Sequence, residues 1–365
     1  MINAKAAVLR GSGSPYTIED VVLDEPGPDQ VVVRIAAAGF CHTDVLPRSP
    51  QWPVQPPIIP GHEGAGVVET VGPNVEGVAV GDHVVLSFSF CGECAFCQDG
   101  HPAYCAKWLE LNLFGRSAEG GAGAVDADGK PLMARWFGQS SFATHVVVDR
   151  NSIVVVDRDL PLDLLGPLGC GIITGAGAVL NVLDVQPGSS IAIFGVGSVG
   201  LAALLAAKVA GAEHIIAVDL QASRLEMATE LGATATILGD ATDVVEQIHA
   251  LTGGGCHYSF DTTGVAPVIL TAINSLRARG TCGLVGVQTS DLVLDGMILT
   301  GKTLTSIVEG DADPRTFIPR LIDLWRAGQL PFDRLIEKFS LSDVNAAEKS
   351  SLSGQTIKPV LIMPS

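Results

Sequence analysis

The stretch from Ser189 to Asp219, SSIAIFGVGSVGLAALLAAKVAGAEHIIAVD, decides the fold of the middle of this chain. A β-branched run, SSIAIFG, leads into GVGSVG, a long apolar run suited to a helix follows, and HIIAVD reads as a second strand. With a strand before it and a helix after it, G-x-G-x-x-G signals a dinucleotide-binding turn rather than an ordinary loop. Gly195 serves the tight turn, Gly197 the close approach of backbone to a pyrophosphate, and Gly200 the packing of helix on strand. Val196, Ser198 and Val199 complete the turn, and the free N–H groups and positive dipole end of the helix face the phosphates. Asp219 ends the second strand about 20 residues on, where a carboxylate accepts hydrogen bonds from the adenosine ribose. It also suits the cap of the next helix, and the two uses are compatible. A carboxylate there repels a 2′-phosphate, so NAD is expected over NADP, with Arg224 the one nearby feature that softens the choice.

Outward from this stretch the alternation continues through ASRLEMATELG, TATILG, CHYSFDT and GTCGLVGV. Strands alternating with helices of this length mean βαβ units and a parallel sheet. The preceding part carries short β-branched runs, VVVRIAAAG, GAGVVETVG and HVVLSFS, punctuated by Gly and Pro, and reads as a β-rich domain. After the βαβ part, DPRTFIPRLIDLWRAGQ reads as an amphipathic helix, and IEKFSL and IKPVLIM supply strands that return to the first domain. The expected division of this α/β chain is 1–171 with 310–365, and 172–309. Pro and Gly at PLGCG and ITGAG mark the expected crossover, where a ligand cleft is anticipated.

With 365 residues and 47% hydrophobic content, the chain is long and apolar enough for two cores. No apolar run reaches the roughly 18 to 20 residues of a membrane span, and MINAKAAVLRGSG lacks the layout of an export signal, so a cytoplasmic location is expected. A formal charge of -17 argues against nucleic acid or an anionic membrane as partner, since both require clustered Lys and Arg.

The eight cysteines fall into sets. Cys91, Cys94, Cys97 and Cys105, in CGECAFCQDGHPAYC, have the spacing of a closed tetrahedral site with bonds of ~2.3 Å, which marks a structural zinc. Disulfides compete for this reading, but cysteines this close strain each other as pairs. Cys256 and Cys282 lack a partner motif and read as core residues. Cys41 in CHTD, His62 in PGHEGAG and Cys170 in GPLGCG remain. Two thiolates and an imidazole balance the charge of zinc and leave one tetrahedral position open, the mark of a catalytic site. Spacing alone does not assemble this trio, since a lone His or Cys is more often a satisfied core residue.

GHEGAGVVETVG resembles the signature of the zinc-containing medium-chain alcohol dehydrogenases, and the cysteine knuckle, the downstream GCG and GVGSVG occur in that family's order along essentially the whole chain. The resemblance implies a GroES-like catalytic domain beside a Rossmann domain with a doubly wound parallel sheet. It also implies two zinc ions per subunit, NAD as cofactor, and a homodimer or homotetramer. Cys41, His62 and Cys170 match the ligands of the catalytic zinc, and Cys91, Cys94, Cys97 and Cys105 those of the structural zinc. Glu63 matches a carboxylate that approaches the metal during ligand exchange, although a plain salt-bridge role is the competing reading. Thr43 matches the hydroxyl that takes the alcohol's proton. His42 and Lys358 match contacts to the cofactor pyrophosphate, and Thr174 and Val287 line the nicotinamide.

In the best-known members a histidine five positions after the first ligand cysteine ends the proton relay, and here that position is Leu46. Trp52, Trp136 and Phe137 fall where the family lines its alcohol pocket, where aromatic rings favour a flat apolar substrate; core packing is the competing reading. SIVEGDADPRTFIPRLIDL resembles the aryl- or benzyl-alcohol branch, which implies reversible oxidation of a primary aromatic or allylic alcohol to the aldehyde by hydride transfer. A dehydrogenase of the formaldehyde–thiol adduct, a short-chain aliphatic alcohol dehydrogenase and a non-catalytic nucleotide-binding zinc protein are the rival expectations.

Overall fold

The computed structural model describes residues 2–114, 121–288 and 290–364. They form two compact units: Met1–Cys170 with Asp313–Arg320 and Asp333–Ser365, and Gly171–Ala312 with Leu321–Phe332. No single helix among the described residues is long and apolar enough to cross a membrane.

The first unit is built around the strand Gln30–Gly39, whose nearly continuous apolar run is what a strand buried on both faces requires. Gly64–Val71 pairs with it along one edge, while His145–Asp149 and then Lys358–Ile362 share the other. The seven-stranded sheet runs Ile336–Ser340, Lys358–Ile362, Gln30–Gly39, Gly64–Val71, His83–Leu86, Ile153–Val156, with His145–Asp149 beside Gln30–Gly39. A second, antiparallel sheet joins Ile2–Leu9, Tyr16–Leu23, Gly123–Asp126 and Pro131–Met133. Phe40, Phe88, Phe90, Trp136 and Phe142 are the large side chains of the core in this unit. The antiparallel register sets Val360 opposite Gly39, and the Phe40 N–H donates to the Pro359 carbonyl at 2.8 Å. Residues more than 300 positions apart in the chain therefore meet at the end of one strand.

The second unit holds a six-stranded sheet in the order Ala235–Leu238, His214–Asp219, Ser190–Phe194, Cys256–Asp261, Leu276–Leu284, Thr303–Ser306, parallel throughout. The helices Ser198–Val209, Ala222–Leu231, Val244–Thr252 and Ala266–Asn274 make crossovers between strands. Strand order reverses beside Ser190–Phe194, and the carboxyl end of that strand leads into GVGSVG. A doubly wound sheet binds its ligand at such a switch point.

The glycines of GCGIITGAG do not break the chain but form the buried helix Gly171–Gly177. A Cβ on Gly175 would lie 2.1 Å from the Val199 carbonyl oxygen and 2.9 Å from the Ala202 methyl, so these positions allow two helices to touch backbone to backbone. Gly175→Ala is expected to destabilise the protein by about 1 to 3 kcal/mol through overpacking, in spite of alanine's helix propensity, worth about 1 kcal/mol. A denaturant midpoint equal to or above that of the parent protein would refute this account of the glycine.

Candidate active site and metal centres

Cys41 follows the end of Gln30–Gly39, His62 lies in the turn before Gly64–Val71, and Cys170 follows the short turn Gly166–Gly169. Glycines let these three segments close on one another. A Cβ on Gly61, at φ 92°, would strike the Phe142 backbone nitrogen at 2.5 Å, and one on Gly169 would strike the Leu86 carbonyl at 2.0 Å. Ser87 Oγ donates to the Gly169 carbonyl at 2.6 Å and so fixes the turn that presents Cys170. One ligand atom each from Cys41, His62, Glu63 and Cys170 lies within 4.8 Å of the others.

His62 is buried, and its Nδ1 is 2.8 Å from Asp44 Oδ1. Among the described residues its Nε2 has no hydrogen-bond partner. An orphaned ring nitrogen beside two sulfurs in a buried site is the donor set that zinc fills. The hydrogen bond from Cys170, followed by the charges of Lys358 and His62, brings the Cys41 thiol well below its ordinary range against the effect of burial. Burial alone would lower His62, but Asp44 and Cys41 outweigh it and raise the imidazole.

Asp44 is the residue that sequence reasoning missed. Its wholly buried carboxylate accepts four N–H groups: Cys41 N on Oδ2 at 3.1 Å, and Gly61 N, His62 Nδ1 and Trp136 Nε1 on Oδ1 at 2.9, 2.8 and 3.1 Å. The signal lay in CHTD itself, where an aspartate three residues after Cys41 closes the turn back onto the cysteine's N–H. Gln139 was missed as well; its side chain accepts from Gly64 N at 3.1 Å and donates to the carbonyls of His62 and Ser87.

Lys358 pairs with Glu63. It is 1% exposed, and its ammonium donates to both oxygens of Glu63 at 2.8 and 2.9 Å and to the Phe40 carbonyl at 3.2 Å. Those three contacts make it the counter-ion of Glu63. The cause is strand pairing, which draws residue 358 inward beside Gly39 and Phe40. Burial alone would lower Lys358, but Glu63 and Cys41 outweigh it and raise the ammonium, while burial raises the Glu63 carboxyl against the pull of Lys358.

Around this centre, Thr43 Oγ1 is 3.8 Å from Cys41 Sγ, His42 is exposed, and Leu46 is half-buried. Phe137 stacks on the His62 ring with centroids 4.5 Å apart, and Trp136 is fully buried with its indole N–H on Asp44. Trp52 is half-buried.

Cys91, Cys94, Cys97 and Cys105 also converge within 4.8 Å. Cys94 and Cys97 sulfurs are 3.5 Å apart and those of Cys91 and Cys97 4.0 Å, far beyond a disulfide and close to the edge of about 3.8 Å that a tetrahedron with ~2.3 Å bonds possesses. Backbone N–H groups of Cys91, Cys94, Ala106 and Lys107 point at these sulfurs. The amide of Ala106 leads in lowering Cys94 to about 6, whereas burial pushes Cys97 up to about 12.

In the second unit, Gly195 has φ 84°, and a Cβ there would lie 2.5 Å from Thr262 Oγ1. A Cβ on Gly200 would lie 2.0 Å from the Gly195 carbonyl. One on Gly197 would meet no atom within 4 Å, so the turn leaves open the space a pyrophosphate needs, over the N-terminus of Ser198–Val209. Asp219 accepts from Val196 N at 2.8 Å and from Gln221 N at 2.9 Å, which fixes both the turn and the start of the next helix. Arg224 lies 3.7 Å from Asp219 Oδ2, and its Nε has no hydrogen-bond partner. Thr174 is buried and donates to Glu309 at 3.0 Å, while Val287 is exposed.

Residues 27–158 match the alcohol dehydrogenase GroES-like domain, and residues 198–325 match the zinc-binding dehydrogenase family. Geraniol dehydrogenase of Castellaniella defragrans is 47% identical over 99% of this chain and 98% of its own. The crystal structure of benzyl alcohol dehydrogenase from Acinetobacter calcoaceticus has a TM-score of 0.95 at 40% identity, covering 100% of both chains. An alcohol dehydrogenase zinc-binding domain protein from Burkholderia ambifaria has a TM-score of 0.97 at 48% identity, again covering 100% of both.

Proposed function

Because the chain belongs to the zinc-dependent medium-chain alcohol dehydrogenases, we propose that it oxidises a primary aromatic or allylic alcohol reversibly to the aldehyde, with NAD as hydride acceptor. The observation that carries this reading is the convergence of Cys41 and Cys170 on the unpartnered Nε2 of the buried His62. The relatives named for geraniol, an allylic alcohol, and for benzyl alcohol support the substrate class. A homodimer or homotetramer follows from the same resemblance.

Cys41, His62 and Cys170 would hold the catalytic zinc, and Cys91, Cys94, Cys97 and Cys105 the structural one. When bound, the open-site metal supplies a Lewis acid that polarises the substrate oxygen, and the dinucleotide supplies the hydride acceptor. The chain's own part is to orient and to handle a proton. Asp44 keeps the proton of His62 on Nδ1, which turns the lone pair of Nε2 toward the ligand set. Thr43 Oγ1, beside Cys41, accepts the hydroxyl proton of the alcohol. Leu46 provides no onward acceptor, so that proton leaves through solvent or another base. Glu63 brings a carboxylate within ligand distance while Lys358 balances its charge. On the cofactor side, the turn at Gly197 receives the pyrophosphate and Asp219 the adenosine ribose.

The test is a panel of benzyl alcohol, geraniol, ethanol and the formaldehyde–thiol adduct with NAD and NADP, read by absorbance of the reduced cofactor. The aromatic and allylic alcohols with NAD should give the highest kcat/KM, and preference for the adduct would end the substrate assignment. Asp219→Ala should reduce kcat/KM for NAD roughly ten- to a hundredfold through lost charge-assisted hydrogen bonds and narrow the gap to NADP. An unchanged ratio of the two cofactors would remove Asp219 from ribose recognition.

A further inference from the structure

We infer that Trp136 is a positioning residue of the open zinc site, acting through Asp44 on His62. This inference rests on the reading that Cys41, His62 and Cys170 hold a metal. Asp44 is 0% exposed, and among the described residues no lysine or arginine pairs with its carboxylate. Burying a carboxylate costs free energy unless N–H donors replace its water. Two of its four donors, Cys41 N and Gly61 N, are backbone groups that no substitution removes, and the third is the ligand His62 itself. Among the described residues the Trp136 indole is the remaining donor and the only one that is a side chain outside the ligand set.

The geometry around Trp136 is directed toward that contact. Its own backbone N–H donates to Ser140 Oγ at 2.9 Å, which holds the short turn Trp136–Gly138. Its ring meets Phe137 edge-on with centroids 5.3 Å apart, and Phe137 lies over His62. Phe137 has φ 52°, a left-handed conformation that a bulky residue adopts only when its surroundings impose it. Two successive residues thus hold the imidazole from two sides, Phe137 against its face and Trp136 through the carboxylate that holds its Nδ1. An indole kept only for apolar packing would not need its N–H on the most highly coordinated oxygen near the ligands. Loss of that bond lets Asp44 turn and weakens the hold on the His62 tautomer, and outer partners of this kind govern metal affinity as well as rate.

The experiment uses the holoprotein with Trp136→Phe, and with β-(3-benzothienyl)alanine at position 136, an isostere that lacks the N–H and carries the test should the phenylalanine variant misfold. Zinc transfer to a colorimetric chelator is followed in two phases, one for the open site and one for the cysteine knuckle. The open-site phase should quicken roughly tenfold while the knuckle phase is unchanged. The ratio of kcat/KM between small and bulky alcohols should stay that of the parent, and Trp136→Phe should add little in an Asp44→Asn background, since both act on one bond. Unchanged zinc release with altered discrimination among alcohols would make Trp136 a pocket wall and overturn the inference, as would full additivity with Asp44→Asn. A parent protein that carries only the knuckle zinc would instead overturn the reading of the open site, and zinc content reports this separately.

Discussion

Lys358→Met is expected to cost the first unit about 3 to 5 kcal/mol, because it strands the carboxylate of Glu63 in the interior without its cation. Both groups are essentially unexposed, and the ammonium meets both carboxylate oxygens below 3 Å. Space for the pair is made by Gly39, where a Cβ would fall 1.9 Å from Glu63 Oε2, so the carboxylate fills the place a side chain would take. Methionine keeps an unbranched side chain of much the same volume, one heavy atom shorter, and removes the ammonium with its charge and three hydrogen bonds. Urea midpoints of the parent, of Lys358→Met and of Lys358→Met with Glu63→Leu check the argument. The single variant should fall well below the parent, and the double variant should recover much of the loss, since an apolar pair of similar volume often matches a buried ion pair. A single-variant loss under about 1 kcal/mol is what an exposed pair would give, and it would contradict the burial assigned here. Affinity for NAD in the folded fraction separates the two roles of Lys358: an unchanged value leaves it the counter-ion of Glu63 alone, and a lowered value adds the pyrophosphate contact that the family resemblance implies.

Cys170→Ala and His62→Ala should each leave a folded protein that holds the knuckle zinc, loses the other and still binds NAD. Oxidation of the alcohol should fall by about a thousandfold or more, since Lewis-acid stabilisation of the reacting oxygen is worth several kcal/mol. Metal analysis, cofactor binding by fluorescence and turnover are read on the same preparation. Cys97→Ala supplies the contrast: its sulfur belongs to the closed site, so it should lower the denaturation midpoint and solubility before it alters the chemistry. Retention of both metals and of activity in Cys170→Ala would sink the assignment of the trio.

The two kinds of cysteine site differ in how far they could be read before folding. The knuckle has all four ligands within fifteen residues, so chain geometry alone confines its sulfurs to one small loop. The glycines of GVGSVG were equally legible, because a positive φ, an open approach and a close helix contact each exclude a side chain at a defined position. By contrast, Cys41 and Cys170 are separated by 129 positions, and no local rule brings them together. Their convergence with His62 depends on three segments closing at the ends of the first unit's strands, and the resemblance to a family pointed to it before any physical argument could.

Residue types and spacings therefore determined, without further help, a βαβ nucleotide unit, a closed sulfur site and an inventory of soft ligands. The folded arrangement decided what surrounds the ligands: Lys358 turned inward to Glu63, Asp44 gathering four N–H groups, and Trp136 donating one of them. The physical reason is that local backbone chemistry limits φ and ψ one residue at a time, whereas the direction a side chain takes, and the charge it must neutralise once buried, depend on which strands pair and in what register.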